Sequence, residues 1–105
     1  MGKKTLPKFE RDFQRNLIKD LKTMFPDCIV MKTDPSYIQG IPDILVLFKN
    51  KWASLEIKRS AKARRRPNQE YYVDKMNNMS FSRFIYPENY RDIVDELKRF
   101  FGGAK

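Results

Sequence analysis

The sequence predicts a single-domain α/β fold with the element order αβββαβα, a central mixed four-stranded sheet flanked by helices. Three observations carry that expectation. Segments near the two ends space their apolar residues three and four apart, which is the helical period. The runs between them are short, apolar and rich in β-branched residues, which suits strands. Two of these runs, 43–48 and 52–58, are separated only by a short polar break, so they form an antiparallel hairpin. The 105 residues provide for one domain with one modest core, spanning 1–105 with 1–5 and 102–105 expected to be flexible.

From the N-terminus, residues 6–25 place Leu6, Phe9, Phe13, Leu17, Leu21 and Met24 on one side of a helix whose other side is charged. Pro26 and Asp27 end it. Residues 28–33, CIVMKT, form a first strand, and DPSYIQGIP has turn formers at both ends and makes a loop. DILVLF at 43–48 has the composition of a central strand, with Asn50-Lys51 turning into WASLEIK. The basic segment RSAKARRRPN is expected to lack regular structure. A helix over Gln69–Asn78 follows, with Pro67 where a first turn tolerates it. FSRFIY at 81–86 alternates as a fourth strand, and Asn89–Phe101 repeats the helical spacing before Gly102-Gly103 stops it.

Composition narrows the function. Lys and Arg number 22 against 13 Asp and Glu, a formal charge of +9 that favours a polyanionic partner, nucleic acid ahead of an anionic membrane surface. No basic amphipathic helix has a wide apolar face left over after core packing, so the membrane surface ranks far behind. No apolar run approaches a membrane span, and Met1-Gly2-Lys3-Lys4-Thr5 leads into no signal-peptide core. Cys28 is the single cysteine, so an internal disulfide is excluded and a reducing compartment such as the cytoplasm is expected. The chain contains no histidine, which removes Ser-His-Asp triads, His general bases and His/Cys zinc sites. Hydrolytic chemistry must then come from carboxylates, lysine, tyrosine or an oxygen-ligated metal.

The stretch GIPDILVLFKNKWASLEIKRS, residues 40–60, holds such a set. Side chains two apart share one face of a strand, so Glu56 and Lys58 point together while Ile57 points into the core. The hairpin lays Asp43 beside them. Two neighbouring carboxylates repel and resist ionisation, a conflict that a divalent cation removes. Mg2+ suits oxygen ligands and keeps several waters, and the Ile57 backbone carbonyl lies between the two side chains as a further oxygen. Lys58 is placed to orient the attacking water or to neutralise charge on a scissile phosphate.

Pro42-Asp43 followed by Glu56-Ile57-Lys58 on adjacent strands after a first helix resembles the PD-(D/E)XK nuclease superfamily, and so the restriction-endonuclease-like fold. With Gly40-Ile41-Pro42-Asp43, Gln69 on the next helix and a Phe-Ile-Tyr strand before a last helix, the chain is similar over about residues 9–98 to the virus-type replication-repair nuclease (VRR-Nuc) family. Small stand-alone members of that family occur in phages, which places such a chain in the host cytoplasm or at the nucleoid. The resemblance implies a Mg2+-dependent DNA endonuclease, with Mn2+ substituting, acting on branched DNA such as Holliday junctions. It implies metal ligation by Asp43, Glu56 and the Ile57 carbonyl, with Lys58 catalytic. Glu10 matches the helix-one acid that completes such sites, and Gln69 matches a glutamine near them. The Gln-x-x-x-Tyr pattern of some relatives is departed from, since Val73 stands where the tyrosine would. Paired cuts at a four-way junction imply a homodimer, for which the C-terminal Phe100-Phe101 offers an apolar surface.

Around this set, Arg59, Lys62, Arg64, Arg65 and Arg66 follow the catalytic strand directly and are assigned to DNA phosphates. Tyr37, Tyr71 and Tyr72 are amphipathic packing residues with stacking on unpaired bases as the lesser alternative. Trp52 fits core or interface, and Asp34 fits a turn cap. The competing account makes the chain a non-catalytic basic nucleic-acid-binding module. In it Asp43 merely starts a strand, and Glu56 and Lys58 form a solvated face with a weak ion pair.

Overall fold

The computed structural model describes residues 6–103. Helix α1 (Lys8–Met24) leads to β1 (Ile29–Lys32), β2 (Ile44–Phe48) and β3 (Lys51–Ile57), then α2 (Pro67–Met79), β4 (Ser82–Ile85), a short 3-10 turn (Pro87–Asn89) and α3 (Tyr90–Phe101). This is the αβββαβα order, in a small single-domain α/β fold. The expected flexible ends 1–5 and 104–105 lie outside the described residues. Gly102 is described: with φ of 67°, its N–H caps α3 by donating to the Lys98 carbonyl at 2.9 Å.

The sheet runs β1-β2-β3-β4. The first three strands pair antiparallel, with Ile44 opposite Leu55 and Ile29 opposite Leu47, and β4 joins β3 in parallel through the α2 crossover. Strand β2 buries Ile44, Val46 and Phe48 and leaves Leu45 and Leu47 half-buried, so its alternation assigns one face to the core. On that face α1 contributes Leu17 and Leu21, followed by Phe25, and α3 contributes Ile93, Leu97 and Phe101. Helix α2 takes the other face over β3 and β4, where Met76 meets Ser54, and the Ser54 and Ser82 hydroxyls bond at 2.7 Å. Because α2 covers only that half, Ile29 and Met31 on the edge strand stay exposed.

Three expectations change in detail. The hairpin turns at Lys49-Asn50, one residue early, because Lys49 takes the left-handed conformation (φ 57°) and Phe48 pairs with Lys51. The segment after β3 is an ordered turn: the Ala63 N–H donates to the Ser60 carbonyl at 3.1 Å, and the Ala61 N–H to Glu88 at 3.2 Å. Side-chain acceptors thus organise a segment whose composition alone suggests disorder. Finally, Phe101 is 6% exposed and completes a ring cluster with Phe25 and Phe48 at centroid separations of 5.1 and 5.6 Å. Phe100 packs partly buried against the same core. Phe101 is thus core, and Phe100 stays half-buried beside it.

Truncating that cluster should therefore act on stability. Phe101→Ala is expected to lower the unfolding free energy by about 3–5 kcal/mol in urea titrations, with no change in sedimentation of the folded fraction.

Candidate metal and phosphate site

The C-terminal end of β3 meets the N-terminal ends of α1 and α2 in a cleft of about 370 Å3. Its floor is Asp43, Glu56, Ile57 and Lys58, and its walls include Glu10 from α1, Arg59, Arg64 and Arg66 from the basic turn, and Gln69 from α2. Helix N-termini carry partial positive charge, so two of them at one cleft favour an anion.

Several local contacts bring the acids there. Thr33, just past β1, donates its N–H to the Asp43 carbonyl at 2.9 Å and its hydroxyl to the Pro42 carbonyl at 2.6 Å. This ties the Pro-Asp dipeptide to the sheet. The Asp43 carboxylate accepts the Ile57 N–H at 2.8 Å, which clamps the start of β2 to the end of β3. Ile57 itself is 4% exposed in the core, as strand alternation requires.

Gln69 is the hub of the site. Its Nε2 donates to Glu56 Oε2 at 2.9 Å, and its Oε1 accepts from Lys58 Nζ at 2.6 Å and from the Arg66 N–H at 3.0 Å. One amide thus spaces the acid from the base and caps the helix that carries it. Lys58 also donates to the Arg64 carbonyl at 2.8 Å, so two of its three N–H donors are used. Gly40 sets the depth at which the preceding loop packs on α2: its φ is +91°, and a Cβ there would stand 2.4 Å from Asn68 Cβ.

The electrostatics follow from the burial of the two acids. Glu56 is 4% exposed, and burial, followed by the Asp43 charge, pushes its carboxyl up to about 8. Asp43 is raised to about 6 mainly by burial, opposed by the Ile57 N–H and Lys58, with Glu10 pushing it further up. Burial lowers Lys58, against the pull of Glu56 and Asp43. Glu56 Oε1 and Glu10 Oε1 are both buried without a hydrogen-bond partner. Among the described residues no group of three or more acidic, His or Cys side chains is placed to hold a metal ion. Two carboxylates with an unpartnered oxygen nevertheless fit a hard ion that retains waters.

The residues expected at the site divide clearly. Asp43, Glu56, Ile57, Lys58, Glu10, Arg59, Arg64, Arg66 and Gln69 all line the cleft. Lys62 and Arg65 do not: Arg65 lies over the Phe84 ring at 4.1 Å, toward β4. Arg59 sits over Phe9 at 5.5 Å. Tyr37 is 85% exposed at the tip of the 34–40 loop, whose turn Asp34 caps by accepting the Ser36 N–H at 2.9 Å. Val73, at the position of the absent tyrosine, is buried. Thr33 joins the site without any signal in the sequence, because a lone threonine after a strand has no distinguishing pattern. Gly40 belongs to the Gly-Ile-Pro-Asp motif, but its contact with Asn68 depends on a helix 28 residues away in sequence.

Both carboxyls have folded pKa values above their unfolded ones, 4.5 rising to about 8 for Glu56 and 3.8 to about 6 for Asp43. The folded state therefore holds extra protons, and the stability they bring is present below about pH 4 and lost as pH rises toward 8. In EDTA, the melting temperature is expected to fall across that window by on the order of 5 °C or more. Mg2+ should restore it at about pH 8, since deprotonation and binding are coupled. Glu56→Gln should flatten the pH slope and weaken the Mg2+ response in calorimetry; an unchanged response would remove Glu56 from the metal site.

Comparisons of the chain with protein-family models, with curated proteins and with solved structures return no match.

Proposed function

We propose that the chain is a metal-dependent DNA endonuclease of the PD-(D/E)XK kind, hydrolysing phosphodiester bonds in branched DNA, and that it is a VRR-Nuc-like enzyme. The observation that carries this reading is the pair of buried carboxylates, Asp43 and Glu56, joined through Gln69 to Lys58, with one Glu56 oxygen left unpartnered. A structural ion pair has no need to leave a buried carboxylate oxygen without a donor. The basic cleft walls supply the affinity for a phosphate backbone.

Asp43, Glu56 and the Ile57 carbonyl would hold Mg2+ or Mn2+, with Glu10 at the border, and the bound ion supplies Lewis-acid activation of water and phosphate. The protein's own part is positioning and charge. Lys58, held by Gln69 and the Arg64 carbonyl, keeps one N–H for the attacked phosphate, where it offsets charge that develops in the transition state. Arg64 and Arg66 flank the same point and orient the strand. Cutting a four-way junction on both sides requires a two-fold pair of chains, and that pairing belongs to this proposal. Among the described residues no helix is long and apolar enough to cross a membrane.

Asp43→Asn and Lys58→Ala are each expected to reduce Mg2+-dependent cleavage of labelled junction, flap and linear DNA by a factor of at least about 100. Binding in EDTA should stay within a few-fold of the parent. Gln69→Ala should lower turnover more than affinity. Cleavage that persists in pure Asp43→Asn protein, or that survives EDTA, would refute the metal mechanism. Salt-sensitive binding with no cleavage under Mg2+ or Mn2+ would leave a basic binding module.

A further inference from the structure

A second groove, of about 410 Å3, runs between α1 and the edge strand β1. It is walled by Arg11, Arg15, Ile18, Lys22, Val30 and Lys32. Three of the α1 residues repeat the cationic side chain at one helical face, and from Arg11 to Lys22 the helix rises about 16 Å at 1.5 Å per residue. Two apolar side chains lie between the charges and no acid lines the groove. Asp12 contacts Arg15 at 3.2 Å but is also bonded to Lys8 at 2.8 Å on the exposed side of the helix.

The groove and the cleft are lined by neighbouring residues of the chain. Arg11 directly follows Glu10, and Lys32 directly precedes Thr33, which holds Asp43 in place. It lies at the β1 edge of the sheet, whereas the basic turn starts with Arg59 over Phe9 of α1 and reaches β4, where Ala61 bonds Glu88 and Arg65 covers Phe84. The acids therefore sit between two cationic flanks, one of them outside the run of arginines that the sequence makes conspicuous. Like charges gathered in one concavity repel, and a polyanion relieves that repulsion.

We infer that the α1–β1 groove binds the sugar-phosphate backbone of a duplex arm on the far side of the cut from the 59–66 turn, an inference that rests on the nuclease reading. Its length of about 16 Å accommodates a few successive phosphates of one strand. It presents no aromatic ring for stacking, and its row of cations is suited to phosphate contacts that fix register on the duplex. It gives the enzyme register and an arm to hold while the cleft engages the scissile phosphate.

The test is the salt dependence of binding to a duplex of about 30 base pairs, in EDTA so that the DNA stays whole. Arg11→Ala/Lys22→Ala/Lys32→Ala, all at exposed positions, should lose about 10-fold or more in affinity near 0.1 M salt. The slope of log K against log salt should become shallower by about 2–3, since each phosphate left unneutralised accounts for about 0.9. Arg91→Ala/Lys98→Ala/Arg99→Ala removes the same charge from α3, and its slope should remain that of the parent. Equal losses in the two variants would reduce the groove to a share of net charge and overturn the inference. So would an unchanged DNA slope accompanied by weakened binding to phosphatidylserine vesicles, which would reassign the groove to lipid. A parent protein with no salt-dependent affinity for DNA would overturn the nuclease reading and the groove with it. A flatter slope for the groove variant in a parent that binds but does not cut would sustain the groove while the catalytic reading fails.

Discussion

The constraint on which the rest depends is the burial of two carboxylates on adjacent strands. Asp43 and Glu56 stand at the open end of the β2–β3 hairpin, where burial raises both, with the Asp43 charge pushing Glu56 further up and the Glu10 charge doing the same to Asp43. A protein core meets such a cost only with compensating partners. Here the compensation comes from three directions: the Ile57 N–H to Asp43, the Gln69 amide to Glu56, and the Lys58 ammonium beside both. One oxygen of Glu56 is left over as a buried acceptor with no hydrogen-bond partner.

Much of the architecture serves to bring those partners in. The β3-α2-β4 crossover lays α2 over the face that carries Ser54 and Glu56, so the first turn of α2 arrives with Gln69 above the acid. Gly40 lets the loop before Asp43 approach that same turn more closely than any side chain would allow. Helix α1 packs on the opposite face through Leu17 and Leu21, yet its first turn reaches the same end of the sheet and adds Glu10. Both faces of the sheet thus contribute to one cleft because it opens at the strand ends.

The positive charge is organised about that cleft on two sides. The 59–66 turn contributes Arg59, Arg64 and Arg66, and the α1 face with β1 contributes a second line of cations. A floor of two acids between positive walls suits an anionic substrate when the acids stay protonated or a cation intervenes between them. On the proposed reading, site and surface share the same two partners, a divalent metal and a phosphate backbone.

The element order and the central hairpin were legible in the sequence because period and turn chemistry are local. Alternation in ILVLF and three-four spacing in α1 each encode one buried face, and Glu56 and Lys58 share a face by strand geometry alone. The absence of histidine left carboxylates as the chemistry available to the chain. Local pattern did not reveal that Gln69 joins Glu56 to Lys58, since that bond spans a crossover. Nor did it separate Arg64 and Arg66 from Arg65, whose side chain turns to Phe84. The same holds for Phe101, apolar at a helix end: only packing against Phe25 and Phe48 makes it core. The α1–β1 groove lay hidden for the same reason, its cations being scattered from Arg11 to Lys32 until the sheet edge meets the helix. Sequence determined which residues each element offers to a face; tertiary structure decided which faces meet, because contacts between distant elements depend on the whole chain closing around one core.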